Sequence, residues 1–331
     1  MNEIIRARLD LLCDNYQAAS AYTHFDNNIT RIFSSLVCCN EGKSGNPEKI
    51  KEMKALIKEK AGIFSRFRNN LLVPLSTELS LEANPEQCFL NTLHVYDLLK
   101  QQKFSSSDYL AAAAHAISTG CEPFDYPRIC ERAKTFYQDM KENHPFLTGQ
   151  NDYVYAAMLA MSDLSPQSGT NRMELFYINL KKHFGQGNGL QSLSHILCMA
   201  DETDSLVIDR VISLHDKLKE MRFDMNHPYT LSLLGILALI TDDMDAMAAD
   251  IAEAHNYLKD KKGFGSWSLT KAQRLLITSS VVATVYADQA KSGTLKNTIA
   301  SNITNLLLAE QAAMIAMITA ASVSTAASSS N

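Results

Sequence analysis

Apolar residues recur every three to four positions along most of the chain, and runs of strict alternation are nearly absent, so the sequence predicts helices rather than strands. The best strand candidate, Leu71 to Leu81, is interrupted by Pro74, which has no N–H to give a sheet, and is expected to connect helices. Residues 3–39 and 47–71 are predicted as two helices parted by the polar turn from Glu41 to Pro47. Further along, apolar runs follow turns at Tyr109 to Ile117, Tyr153 to Met161, Leu190 to Met199, Tyr229 to Ile240 and Leu269 to Val285. A closing helix is predicted over 294–322.

Self-comparison organises these segments. An aromatic ring or imidazole is followed three residues later by Leu or Met, then at once by Lys, then after a short gap by Phe. The copies are Tyr96, Leu99, Lys100, Phe104; Tyr137, Met140, Lys141, Phe146; Tyr177, Leu180, Lys181, Phe184; His215, Leu218, Lys219, Phe223; and His255, Leu258, Lys259, Phe264. Their lysines step by 41, 40, 38 and 40 residues, a period that marks a repeat architecture. Ring and Leu share one helix face, Lys complements the negative end of the helix in its last turn, and Phe caps the exit. Each copy is therefore the second helix of a pair, and the apolar run after it is the first helix of the next. Asp108, Asp152 and Ser268 stand where a cap or first-turn residue belongs, and Pro228 suits a first helical position.

The expected fold is all-α: tandem α/α helical-hairpin repeats of about forty residues, arranged as an open solenoid or an α/α toroid. Residues 1–83 form an N-terminal helical cap, 84–290 the five repeats, and 291–331 a C-terminal helix and tail, in a single continuous body.

With 331 residues, 46% of them hydrophobic, the chain has ample material for a core. A net charge of −5 and a pI near 6.0 give no field that attracts phosphate backbones, so no nucleic acid partner is expected. Seven cysteines without a C-x-x-C pair suggest thiols in a reducing compartment, hence the cytoplasm. The amphipathic start Met1 to Arg6 lacks the apolar core of a secretory signal. Leu306 to Val323 carries Glu310 and Gln311 and is rich in alanine, so it is expected to dock on the body rather than span a membrane.

The runs Lys103-Phe104-Ser105-Ser106-Ser107-Asp108-Tyr109-Leu110, Pro145-Phe146-Leu147-Thr148-Gly149-Gln150-Asn151-Asp152-Tyr153 and Leu193-Ser194-His195-Ile196-Leu197 resemble those of a bacterial all-helical family catalogued only as a domain of unknown function. The resemblance covers nearly the whole chain. It implies a bacterial cytoplasmic setting and carries over no catalytic residue.

Candidate chemistry is sparse. His215 and His255 occupy the ring position of the repeat and are expected to pack. His195, Cys198 and Asp201 or Glu202 share one helix face and have zinc-binding atom types, weighed against a core histidine beside an inert buried thiol, which is the expectation. No cofactor or metal is expected. Gly185, Gly187 and Gly189 precede a helix without the strand a dinucleotide loop needs, which favours a glycine cap over an anion site. The turns from first to second helix are acidic, with Glu122, Asp125, Asp163, Asp201, Glu202, Asp204, Asp242, Asp243 and Asp245, a rim that helix dipoles explain and that a basic peptide or divalent cations could also use.

Two functions follow as expectations. The first is a helical-repeat binding scaffold with an unknown protein or small-molecule partner, whose ligand contacts come from polar residues that interrupt the first helices, namely Asp152, Gln191, His195 and Gln273. The alternative is an enzyme or small-molecule-binding protein using a toroid cavity, with Asp152, Asn188, His195 and Trp267 as its polar cluster.

Overall fold

The computed structural model describes residues 1–23, 28–63, 65–228 and 230–291. Tyr229, the closing helix over 294–322, the stretch Leu306 to Val323 and the rest of 291–331 beyond Lys291 lie outside the described residues. Every regular element among the described residues is helical. The α-helices are α1 (Glu3–Ala18), α2 (Asn28–Asn40), α3 (Pro47–Lys60), α4 (Leu72–Leu81), α5 (Pro85–Gln101), α6 (Asp108–Gly120), α7 (Tyr126–Asn143), α8 (Tyr153–Met161), α9 (Pro166–Phe184), α10 (Asn188–Leu197), α11 (Asp204–Glu220), α12 (Leu231–Ile240), α13 (Met244–Lys259) and α14 (Lys271–Lys291). The motif lysines fall in the outer helices α5, α7, α9, α11 and α13, and the apolar runs become α6, α8, α10, α12 and α14. No described helix is long and apolar enough to cross a membrane.

Two compact units make up the chain. One holds residues 14–137 and 149–161. In it α4 packs on α2, α3 and α5, α5 packs on α6, and α6 packs on α8. Ala111 to Ala114 on α6 and Ala156 and Ala157 on α8 are all buried, as small residues on a close helix contact should be. Three predicted boundaries are corrected here. The helix expected over 3–39 stops at Ala18, because Thr23 folds back and its Oγ1 donates to the carbonyl of Ala19 at 2.6 Å, while Arg31 Nε donates to Thr23 Oγ1 at 2.9 Å. The helix expected over 47–71 ends at Lys60, and a short 3-10 turn, Arg66–Arg68, buries Phe67. Leu71 to Leu81, expected to be a connection, is mostly the helix α4; Pro74 sits in its first turn, where a missing N–H leaves no bond unmade.

The other unit holds residues 1–13, 138–148 and the described chain from 162. Here α10 packs on α9 and α12, α11 on α12 and α13, and α14 on α12 and α13. All ten residues of α12 are buried. A Cβ added at Gly235 would lie 2.8 Å from Leu193 Cδ1 and 3.2 Å from Ile196 Cγ2, so a larger residue there would push these side chains of α10 aside. The start of α1 docks on the last hairpin: Arg8 pairs with Asp288 at 3.0 Å, Tyr257 donates to Asp10, and Arg6 and Lys261 lie over the Tyr257 ring.

The repeated ring has a partner that periodicity alone does not name. In each outer helix it receives the ring that ends the preceding unit: Phe67 on Tyr96 (centroids 5.3 Å apart), Phe104 on Tyr137 (5.5 Å), His144 on Tyr177 (4.4 Å), Phe184 on His215 (5.0 Å) and Phe223 on His255 (4.7 Å). His215 and His255 are buried in these contacts. The middle rung corrects the motif. Phe146 is 99% exposed and caps nothing, and His144 takes its place against Tyr177. The helix end is instead closed by Thr148 Oγ1 donating to the carbonyl of Met140 at 2.9 Å and by the Lys141 ammonium donating to the carbonyls of Pro145 and Thr148. At Phe104 and Phe223 the chain turns through a left-handed residue, Lys103 (φ 63°) or Arg222 (φ 68°), and the Phe N–H reaches the carbonyl of Leu99 or Leu218.

Asp108 is the first helical residue of α6, a first-turn position as expected, and Ser107 before it caps the helix by accepting the Leu110 N–H. Two other helix starts change. Pro228 and Ser268 stand before the helices they were expected to start, α12 and α14, with Thr230 and Thr270 at the cap positions.

Candidate functional site

The fold uses most of the polar side chains the sequence offered as ligand contacts. Thr270 and Gln273 form a reciprocal capping pair at α14: Thr270 N–H donates to Gln273 Oε1 at 2.9 Å and Gln273 N–H to Thr270 Oγ1 at 3.2 Å. Asp152 is buried and its carboxylate accepts the Gly149 N–H at 2.8 Å, holding the 3-10 turn Gln150–Asp152 ahead of α8. Asn188 is exposed at the first position of α10. Trp267 is fully exposed, so the polar cluster expected around Asp152, Asn188, His195 and Trp267 is not a buried one. Gly185 caps α9 with φ 79°, the glycine-cap outcome.

Gln191 and His195 do point inward. Gln191 Nε2 donates to Thr148 Oγ1 at 2.8 Å, and its buried Oε1 receives no hydrogen bond from the described residues. His195 is buried, and burial, reinforced by the charge of His144, lowers its pKa to about 3, so the ring is neutral at ordinary pH. Cys198 is fully buried, its Sγ donates to the carbonyl of His195 at 3.2 Å, and burial pushes the thiol up to about 12. The helix ends at Leu197, so Asp201 falls in the exposed turn beyond it instead of on the His195 face, and Glu202 is held by Arg210. The zinc face His195, Cys198, Asp201 is thus not assembled.

Arginines at a fixed place in the outer helices pair with part of the acidic rim, namely Glu202, Asp204 and Asp242. Arg132, Arg172 and Arg210 stand nine residues before Lys141, Lys181 and Lys219. Arg132 Nε donates to the carbonyl of Ala160. Arg172 donates to the carbonyls of Cys198 (2.8 Å) and Ala200 (2.6 Å) and pairs with Asp204 at 2.7 Å. Arg210 forks onto both oxygens of Glu202 at 2.6 Å and meets Asp242 at 2.5 Å. Each arginine clamps the carbonyl end or acidic turn of a neighbouring hairpin. The fixed offset from the motif lysine was the signal that would have found them.

Beside Arg210 runs a shallow open groove lined by Asp209, Arg210, Ser213, Lys217, Asp242, Asp243, Met244 and Asp245. Asp243 caps α13 by accepting the Ala246 N–H, and Lys217 pairs with Asp245. Four acids against two bases leave the groove negative. Nearer the opposite helix ends, His183, His215 and Asp216 converge, the one group of three His, Cys, Asp or Glu side chains among the described residues whose ligand atoms could share a metal ion.

The family model described as "Protein of unknown function (DUF4003)" matches residues 15–312, and the chain belongs to that family. No curated protein and no solved structure matches the chain.

Proposed function

We propose that this member of the family is a helical-repeat binding scaffold, working on its outer surface rather than in an internal chamber. The observation that carries this reading is the fate of the inward polar residues: Gln273 caps a helix, Asp152 closes a turn, and His195 is too desolvated to exchange a proton near neutral pH. What remains available to a partner is the negative groove between α11 and α13, whose chemistry suits an extended segment rich in Lys or Arg. The supporting experiment is a titration of the full chain with lysine- and arginine-rich peptides. Binding should fall with added salt, because exposed charges are screened, and should be lost in Asp209→Lys.

A second reading, a small-molecule-binding or catalytic protein, is favoured by one observation, the buried Gln191 amide whose Oε1 lacks a donor among the described residues. A small molecule carried through native mass spectrometry and lost in both Gln191→Leu and His195→Ala would replace the scaffold reading with this one. We also place the protein in the bacterial cytoplasm, on the strength of seven free thiols, to be checked by cell fractionation.

A further inference from the structure

We propose that His183, His215 and Asp216 form a binding site for a divalent transition metal of the zinc class. His183 stands in the last turn of α9, and His215 and Asp216 in the C-terminal part of α11. Their ligand atoms form a nearly equilateral triangle: His183 Nε2 to His215 Nδ1 3.1 Å, His183 Nε2 to Asp216 Oδ1 3.2 Å, and His215 Nδ1 to Asp216 Oδ1 3.1 Å. Metal bonds of about 2.0–2.1 Å in a tetrahedral centre set ligand atoms roughly 3.3–3.4 Å apart, so the triangle needs to open by only about 0.2 Å. An ion bonded to all three sits about 1 Å off their plane, with its fourth position left for water or another donor. The side chains of His183 and Asp216 are 28% and 50% exposed, which gives the ion a way in, while His215 is buried and its plane is fixed against Phe184.

The surroundings of His215 ask for a cation. Its Nδ1 faces the Asp216 carboxylate at 3.1 Å and its Nε2 faces Asp224 Oδ1 at 3.5 Å. A neutral imidazole has a single N–H, so one ring nitrogen always presents a lone pair to a carboxylate. A metal on Nδ1 and the proton on Nε2 satisfy both sides, with Asp224 as the carboxylate that orients a metal-bound histidine. Asp224 is itself held by the Asn226 N–H at 2.8 Å. The last repeat shows the contrast: His255 Nε2 accepts from Arg274 Nε at 3.2 Å, where a guanidinium bars a cation.

The test uses the untagged full chain stripped with chelator, titrated with Zn²⁺ against a competing chelating dye and with Co²⁺ for its visible spectrum. One ion per chain and the intense absorption of four-coordinate cobalt are expected. His183→Gln and Asp216→Asn, both solvent-facing and checked for folding by circular dichroism, should each weaken binding tenfold or more, and Asp224→Asn about tenfold. Absence of a stoichiometric ion, or an affinity unchanged in both His183→Gln and Asp216→Asn, overturns the site, an outcome that includes a proton on His215 in place of the metal. No peptide enters this experiment, so the scaffold reading stands or falls separately.

Discussion

His115 and His195 stand eighty residues apart, and each is the eighth residue after its helix cap, Ser107 for α6 and Gly187 for α10. Burial acts on both rings in the same direction, against the charged imidazolium. At His195 it prevails, and the pKa falls to about 3. At His115 it is outweighed: Glu78 Oε2 lies 3.0 Å from Nε2, Thr92 Oγ1 lies 3.0 Å from Nδ1, and the charge of Glu78, with Glu82 behind it, raises the pKa. The same place along two helices thus carries two opposite electrostatic settings. The position fixes burial; the neighbour supplied by the preceding helices fixes which protonation state the fold prefers.

The strongest way to break the contrast is Glu78→Ala, which removes the carboxylate that keeps the proton on His115 and leaves burial to discharge the ring. At pH 6 it should cost about 2–3 kcal/mol in denaturant unfolding, and less at pH 8, because the contribution of a raised histidine is present below its unfolded pKa of about 6.5 and is lost as pH rises through the folded value. A cost equal at both pH values would sink the assignment.

His195 should show the opposite sign. Between its folded pKa of about 3 and the unfolded value of about 6.5, only the unfolded chain binds the proton, so stability falls as pH drops. The expected loss is about 2 kcal/mol between pH 6.5 and 4.5, and His195→Leu should flatten the acid limb by that amount relative to the parent. An acid limb unchanged in the variant would place the titration elsewhere.

The finest adjustment is Thr92→Val. It removes the hydroxyl that meets His115 Nδ1 and Ser118 Oγ, and should cost about 1 kcal/mol by thermal unfolding while leaving the ring charged beside Glu78. A cost matching that of Glu78→Ala would mean that the hydroxyl, not the carboxylate, holds the ring.

Local chemistry made the all-helical fold legible. The spacing of Lys100, Lys141, Lys181, Lys219 and Lys259 located five outer helices and the runs between them located the inner ones, because helix periodicity and C-terminal charge are read within a dozen residues. Pairings across repeats were not legible. Phe146 looked like a cap because its type and spacing fit, yet the preceding His144 won the contact with Tyr177. The break at Ala18 depended on Arg31 reaching Thr23, and the exposed position of Trp267 depended on where the Gly265 turn projects it. His183 and Asp216 were missed for the same reason: they come from successive outer helices, and His215, assigned to packing, does pack but also turns Nδ1 toward them.

The ring rungs and the docking of α1 also differ in how long the chain must wait for them. Each rung joins residues about thirty apart, so it can close soon after the second residue leaves the ribosome. Asp10 and Arg8 meet partners 247 and 280 residues further on. At synthesis rates of roughly 5–20 residues per second, the apolar face of α1 spends on the order of ten seconds to a minute without its final cover. Those residues are where a nascent chain would first need a chaperone.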